Sequence, residues 1–529
     1  MISPAVPTDA PWWAGAVIYQ VYPRSFADAD GDGIGDLRGL MARLDHLAGT
    51  DASLGVDAVW LSPIYPSPLA DFGYDISNLT DVAAEFGTLA DLDRLVEACH
   101  ARGLRLMLDL VPCHTSIEHP WFVESRSSRG SARRDWYTWA DPGPAGGPPS
   151  NWRALFGGSA WELDPASGQY YLHSFYPEQP DLNWRNPEVA DAIGDAMRFW
   201  FERGVDGFRV DAITHALKDP LLRDNPPAGP GTPPFPPDRT GLEPVWTDDQ
   251  PEMPDVVRSL RRVADAYPGR LLVGEAYLPV ERLARYLDPA DGFQRAFDFE
   301  LSMIEWGAEP WRTTIERAER FTPARSEPTW ALSNHDLSRH GTRYGERRSR
   351  LAALLLLSLR GTICLYAGEE IGMLDAAALD APAQDRFGRD LQRTPMQWDA
   401  SAGGGFSSGV PWLPLVDPVT RNVADQSADP ASILSLYRRL LALRRGSAAL
   451  RLGSLQLIAG LPSDVLAWTR THAEERIVLV ANLGDAASEV DLSGVAASGE
   501  VLASTGSRAG HVPLASLRLD ALEGLLLRL

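Results

Sequence analysis

The sequence predicts an α/β protein whose parallel strands form either a closed barrel or a doubly wound sheet. Seven short runs rich in β-branched and aromatic residues recur along the chain, at 17–22, 56–61, 104–111, 205–210, 271–273, 330–333 and 363–366. Amphipathic segments with apolar residues at helical spacing lie between them, as in 89–102, 187–203 and 347–360. Strands that alternate with helices over several hundred residues are typical of both architectures.

Three stretches depart from this alternation. The segment after the third run, 113–181, is a long insertion rich in Trp, Gly, Pro and Ser. A proline-dense loop, 219–254, has the composition of an active-site rim or a mobile lid. Beyond Arg451, short strands separated by turns at 455–461, 465–470, 477–482 and 525–529 predict a small β-domain. We therefore divide the chain into a main domain (1–112 and 182–448), an inserted domain (113–181) and a C-terminal β-domain (449–529).

Composition limits the partners of the protein. The chain of 529 residues carries a net charge of −22 at pH 7, which disfavours nucleic acids and anionic membranes and suits a neutral small molecule. Cys99, Cys113 and Cys364 are far apart in sequence, which predicts reduced thiols rather than disulfides or a zinc site. Neither a signal peptide nor an apolar run long enough to span a membrane is recognisable. We expect a cytoplasmic protein.

Acidic residues stand at the ends of four predicted strands. They are Asp109, Asp211, Glu275 and, after Asn334 and His335, Asp336. A single such residue is most simply a solvated surface charge, but strand ends of a parallel barrel meet at one face, where catalytic groups gather. Two carboxylates at one site suit glycosidic cleavage, in which one attacks the anomeric carbon and the other protonates the leaving oxygen. In retaining enzymes the two lie about 5–5.5 Å apart.

The neighbours of two of these carboxyls predict their charge states. Val273 and Ala276 surround Glu275 with apolar groups, which would raise its pKa. Arg209 precedes Asp211 by two residues and therefore lies on the same face of the strand, where it would hold Asp211 ionised.

Several motifs resemble the α-amylase superfamily. Segments 109–116, 207–213, 274–277 and 333–336 look like its four signature regions, in order. Segments 179–184 and 393–398 are similar to the oligo-1,6-glucosidase and α-glucosidase branch of that superfamily. The resemblance covers nearly the full chain and implies a (β/α)8 TIM barrel with an inserted domain after the third strand and a C-terminal antiparallel β-domain.

The resemblance also implies roles at the reacting centre. Asp211 would be the nucleophile and Glu275 the general acid/base. Asp336 would stabilise the transition state, together with His335, through the sugar hydroxyls. Arg209 would belong to the same site.

Further residues would bind the substrate by the same resemblance. His114 would bind the primary hydroxyl of the glucose, Tyr74 would stack on the sugar ring and Phe156 would line the pocket; core packing explains the two aromatic residues equally well. Asp75 and Arg393 resemble a pair that grips the non-reducing end and closes the pocket, which would make the enzyme exo-acting. The alternative is a plain surface ion pair.

The sequence also predicts one metal loop and the loss of another metal site. Cys113 replaces the asparagine that helps to hold calcium in longer-chain amylases, so that site is expected to be absent; we expect a packed small residue there, the alternative being a reactive thiol. An EF-hand-like loop places oxygen ligands at alternate positions for a structural Ca²⁺ or Mg²⁺ ion, although Gly39 stands where a true EF-hand has Glu. Its candidate ligands are Asp28, Asp30, Asp32, Ile34 (through its carbonyl) and Asp36. A plain acidic turn is the alternative.

Together these features predict a retaining, exo-acting α-glucosidase that releases glucose from short oligosaccharides such as maltose, with transglucosylation as a side reaction. Ala212 follows the nucleophile, where the related branch has valine with α-1,6 preference, so we expect α-1,4 preference. A maltose/trehalose-isomerising or sucrose-acting glucosyl transferase is the main alternative, and segment 293–296 lacks the charged motif of sucrose isomerases. A non-catalytic binding relative is disfavoured because all three catalytic carboxyls are present.

Overall fold

The computed structural model describes residues 10–229, 241–323, 325–378 and 383–529. Eight parallel strands, which we number β1 to β8, close into a barrel. They are β1 (Val17–Val21), β2 (Ala58–Leu61), β3 (Arg105–Leu110), β4 (Gly207–Val210), β5 (Leu271–Gly274), β6 (Arg295–Asp298), β7 (Thr329–Ala331) and β8 (Thr362–Tyr366). Strand β1 pairs with both β2 and β8, so the sheet has no edge and the doubly wound alternative is wrong. The predicted TIM barrel is confirmed.

Strand β6 is the barrel strand that the sequence did not predict. Its four residues begin and end with charged groups, which is unlike a buried strand. The guanidinium of Arg295 is nevertheless buried, because it pairs with Glu327 and donates to the Thr362 hydroxyl at 2.9 Å. Those partners lie more than thirty and sixty residues away along the chain, so local composition does not show them. The seven predicted runs each overlap one of the other strands.

Helices cover the barrel through apolar faces. In the Leu89–Ala101 helix the apolar face is buried, and Thr88 and Asp91 form a capping box at its start. The buried apolar residues of this face are Leu92, Leu95, Val96 and Cys99. The Glu346–Ser358 helix is buried on almost every side because the Ile433–Gly446 helix and strands of the C-terminal sheet pack against it. The remaining α-helices are Leu37–Ala42, Leu44–Leu47, Pro120–Ser127, Pro187–Glu202, Met253–Asp265, Val280–Leu283, Glu300–Met303, Ala308–Phe321, His340–Tyr344, Val423–Ala428, Ile433–Gly446 and Ala448–Leu452. Within the described ranges, no helix combines the length and apolarity needed to cross a membrane.

The insertion after β3 forms a small layer over the barrel mouth. Strands Trp139–Ala140, Gln169–Leu172 and Trp161–Asp164 pair antiparallel around an aromatic cluster that includes Phe122 and Tyr171. A bridge between His114 and Asp181 joins the two ends of the insertion, so it enters and leaves the barrel at one place. Of the proline-dense loop, residues 230–240 lie outside the described residues.

The C-terminal segment is an antiparallel β-structure. Its six-stranded sheet runs in the order Ser454–Leu457, Val465–His472, Glu475–Asn482, Gly524–Arg528, Ser498–Ser504 and His511–Pro513. Ser488–Val490 and Leu517–Leu519 form a second, two-stranded sheet, and apolar side chains from both sheets make a separate core. The four strands predicted here all overlap strands of the larger sheet.

Candidate active site

A cavity of about 210 Å³ opens where the carboxyl ends of the barrel strands meet the insertion. Six predicted site residues line it: Tyr74, His114, Phe156, Asp211, Glu275 and Asp336. Four others, Asp75, Arg209, His335 and Arg393, are buried behind its wall. The position of the carboxyls follows from the barrel itself, because parallel strands present their last residues at one face.

Arg209 joins three of the carboxyls. Its guanidinium lies 2.5 Å from Asp211 Oδ1 and 3.1 Å from Asp109 Oδ1, and its other terminal nitrogen pairs with Glu275. Arg209 is 1% exposed, so its charge acts in a dry environment. Asp211 and Glu275, which come from β4 and β5, are thus held beside one another on one cation.

Burial decides how these carboxyls titrate. It raises the pKa of Asp109 to about 7, against the influence of Arg209. Burial also raises the pKa of Asp211 well above its ordinary value; Arg209 opposes the rise, and the carboxyls of Glu275 and Asp109 add to it. Arg209 contacts Asp211 as predicted and lowers its pKa, but it does not outweigh burial, because one guanidinium serves three buried carboxyls. Burial therefore shifts the pKa values of both Asp109 and Asp211 upward, although each carboxyl contacts Arg209.

Asp336 has the opposite electrostatic environment. Burial alone would raise its pKa, but His335, Arg389 and Arg393 hold that pKa well below its ordinary value. Arg393 donates to Asp336 Oδ1 at 2.8 Å, and Arg389 approaches the same oxygen at 3.1 Å. Asp336 is therefore ionised at neutral pH.

His335 supports the site from behind. It is fully buried, so the predicted contact with sugar hydroxyls is not available to it. Its Nε2 lies 2.7 Å from the Tyr74 hydroxyl, and the two rings are stacked with centroids 5.5 Å apart. Burial lowers the pKa of His335 to about 3, so the ring is neutral at pH 7. His335 orients Tyr74, whose ring faces the cavity.

The predicted pair of Asp75 and Arg393 is wrong. Asp75 is fully buried and accepts hydrogen bonds from the Ser67 hydroxyl at 2.7 Å and from two backbone amides of its own turn. Arg393 instead donates to the carbonyl of His335 at 2.8 Å, besides its contact with Asp336. Asp75 stabilises a turn, and Arg393 holds the strand end that carries Asp336.

The pair that closes the cavity is Asp71 and Arg389, each four residues earlier in the chain. They form an ion pair, and both line the cavity. Arg389 also pairs with Asp385 at 2.7 Å. The sequence holds two aspartates and two arginines at the same spacing of four, so spacing did not distinguish the pairs. The turn does so: Phe72 and Gly73 adopt positive φ values of 44° and 109° and direct Asp71 inward.

Other functional residues come from loops that the sequence did not single out. Gln179 donates to Asp71 Oδ2 at 3.0 Å and lies 3.0 Å from His114 Nε2, which joins these two residues at the closed end. At the open end, Phe156 packs against Phe387 with ring centroids 4.6 Å apart, and Phe175 lies beside them. Gln179 belongs to the motif at 179–184 described above, whereas no local signal in the sequence marks Phe175 or Phe387.

The predicted metal loop brings three of its acidic residues together. Ligand oxygens of Asp28, Asp30 and Asp36 lie within 4.8 Å of one another. Asp32 is not part of this group, and its carboxylate accepts from the amide of Ile34 at 2.8 Å. The Ser407 hydroxyl donates to Asp28 at 2.6 Å and ties the loop to a distant segment. A cluster of carboxylate oxygens is the donor set that Ca²⁺ and Mg²⁺ prefer.

Comparison with known proteins gives consistent results. Residues 20–453 match the model of the α-amylase catalytic domain. A probable α-glucosidase of Rhizobium meliloti is 44% identical over 92% of this chain and 91% of its own length, and an oligo-1,6-glucosidase of Parageobacillus thermoglucosidasius is 36% identical over 90% and 91%. The crystal structure of an α-glucosyl transfer enzyme superimposes with a TM-score of 0.89 at 41% identity and covers 98% of this chain and all of the other.

Proposed function

The chain belongs to the α-amylase family of glycoside hydrolases, and we infer that it is a retaining α-glucosidase that removes glucose from the non-reducing end of short α-glucosides. One observation carries this inference. Asp211, Glu275 and Asp336 face a single cavity whose inner end is closed by the ion pair of Asp71 and Arg389. A cavity that is closed behind one sugar accepts chain ends only.

The chemistry follows from the two carboxyls on Arg209. We propose that Asp211 attacks the anomeric carbon while the bond to the leaving oxygen breaks and Glu275 gives that oxygen its proton. Water then attacks the same carbon, the bond to Asp211 breaks, and Glu275 takes the proton from the water.

Asp336 has a separate role in the proposed mechanism. Positive charge develops on the sugar ring in an oxocarbenium-like transition state. Asp336 lines the cavity and stays negative because Arg389 and Arg393 stabilise its charge. A fixed negative group near the developing charge needs no reorganisation as the reaction proceeds.

We propose α-1,4 preference and transfer to other acceptors as finer properties. Ala212 lines the cavity beside the nucleophile and has a small side chain, which leaves room for a sugar joined through a secondary hydroxyl. The covalent intermediate can react with any hydroxyl that enters in place of water, and the apolar wall of Phe156, Phe175 and Phe387 lies where that acceptor would enter. The similar structure is named for glucosyl transfer.

We also propose a structural cation in the loop of Asp28, Asp30 and Asp36. The cluster belongs to the chain between β1 and the Leu37–Ala42 helix, and Asp36 caps that helix. A bound ion would fix the start of the helix rather than take part in the reaction.

We further propose a reducing, cytoplasmic location. The proposal is supported by the three cysteines, which are free and buried.

The proposed function is tested with two variants and one stereochemical measurement. Asp211→Asn and Glu275→Gln each keep the side-chain shape and should abolish maltose hydrolysis while circular dichroism shows an intact fold. In the parent, NMR of the first product should show α-glucose, because two displacements retain configuration. Early β-glucose, or near-normal hydrolysis by either variant, would refute the assignment.

A further inference from the structure

Ala212, next to the proposed nucleophile, adopts a backbone conformation that alanine normally avoids. Its φ is 42° and its ψ is 36°, in the left-handed region. This region is disfavoured for residues with a Cβ, so the conformation persists only where the surroundings hold it. The contacts of the Ala212 backbone therefore show what maintains it.

Both polar groups of this residue are engaged. The Ala212 amide donates to Glu275 Oε2 at 2.9 Å. Its carbonyl accepts from the amide of His215 at 3.0 Å and from the thiol of Cys113, also at 3.0 Å. Because the other carboxyl oxygen of Glu275 pairs with Arg209, the Ala212 amide is what orients the second oxygen.

Cys113 is well placed to act as a fixed donor. It is fully buried, and its own carbonyl accepts from the amide of Leu182 at 2.9 Å, which fixes its backbone. Burial raises the pKa of the Cys113 thiol well above its ordinary value, so the sulfur keeps its proton. A protonated thiol next to a carbonyl donates rather than accepts.

We propose that Cys113 is a positioning residue: its thiol holds the Ala212 peptide in the left-handed conformation that directs the amide onto Glu275. This inference rests on the proposed role of Glu275 as acid/base. It differs from a packing role, because loss of the donor should weaken protonation of the leaving group and not sugar binding in general.

The test compares two substrates that differ in their need for acid catalysis. The leaving group of maltose is its second glucose, whose alkoxide oxygen needs a proton. The leaving group of 4-nitrophenyl α-glucoside is 4-nitrophenolate, which is stable enough to leave with little acid catalysis. For Cys113→Ala, kcat/KM for maltose should fall about fivefold, the loss of one weak hydrogen bond, while kcat/KM for 4-nitrophenyl α-glucoside stays within about twofold. Cys113→Ser restores a donor at the same position and should recover most of the maltose activity.

Two further variants separate positioning from packing. Cys99→Ala removes an equally buried sulfur from the Leu89–Ala101 helix and should lower the melting temperature without changing the ratio of the two substrates. Cys113→Val fills the space without a donor and should reproduce the ratio of Cys113→Ala even if the smaller variant folds poorly. Equal losses on both substrates, or a serine variant no better than alanine, would overturn the proposal. A parent protein that hydrolyses neither substrate would instead refute the proposed function.

Discussion

Replacement of Asp71 by asparagine tests the closed end of the cavity. Asp71 is 4% exposed and lines the cavity, where its carboxylate would accept a hydrogen bond from a sugar hydroxyl. A hydrogen bond to a charged group is worth about 1.5–3 kcal/mol, so Asp71→Asn should lower kcat/KM for maltose roughly 10- to 150-fold. The melting temperature should change little, because Arg389 keeps Asp385 and Asp336 as partners.

Asp75→Asn is the matched comparison, since it makes the same chemical change four residues away. Three donors point at the Asp75 carboxylate, and an amide would turn its own NH₂ group toward at least one of them. The cost is about 1–3 kcal/mol of stability, and the main effect should be a lower melting temperature. Steady-state kinetics and thermal melts on both variants decide the matter. A larger loss of kcat/KM for Asp75→Asn than for Asp71→Asn would show that Asp75 binds the sugar after all.

Three other perturbations have defined outcomes. Burial, with Glu300 nearby, raises the pKa of Asp298 to about 7, so folding binds a proton between about pH 4 and 7 and the free energy of unfolding falls as pH rises through that window. Asp298→Asn should therefore raise the melting temperature at pH 8 but not at pH 4, and an equal gain at both would contradict this. Added Ca²⁺ should raise the melting temperature of the parent, a chelator should reverse the rise, and Asp28→Asn should show neither effect; identical shifts in parent and variant would place the ion elsewhere. Ala212→Val should lower activity on maltose and isomaltose, because a β-branched residue is strained at a φ of 42°, yet raise the share of isomaltose hydrolysis; an unchanged ratio would remove Ala212 from the linkage argument.

Much of the fold was readable from local pattern. Seven barrel strands and four strands of the C-terminal sheet were predicted because a buried strand is a short run rich in apolar residues, whatever it packs against. Strand β6 was not predicted because the partners that allow Arg295 to be buried, the Glu327 carboxylate and the Thr362 hydroxyl, are remote in sequence. Closure of the barrel was implied by resemblance, since the same runs would also suit an open sheet.

The sequence by itself determined which chemistry this protein carries. Carboxyls at the ends of β3, β4 and β5 and after β7 are local features, and parallel strands must bring such ends to one face. Only the tertiary structure decided how those groups work together. The choice of Asp71 and Arg389 over Asp75 and Arg393 depends on the path of a turn, and the raised pKa of Asp211 depends on its burial. The hydrogen bond from the Cys113 thiol to the Ala212 carbonyl joins residues that are 99 positions apart in the chain. Charge, burial and hydrogen bonding act through space, so identical spacing along the chain leaves them undetermined.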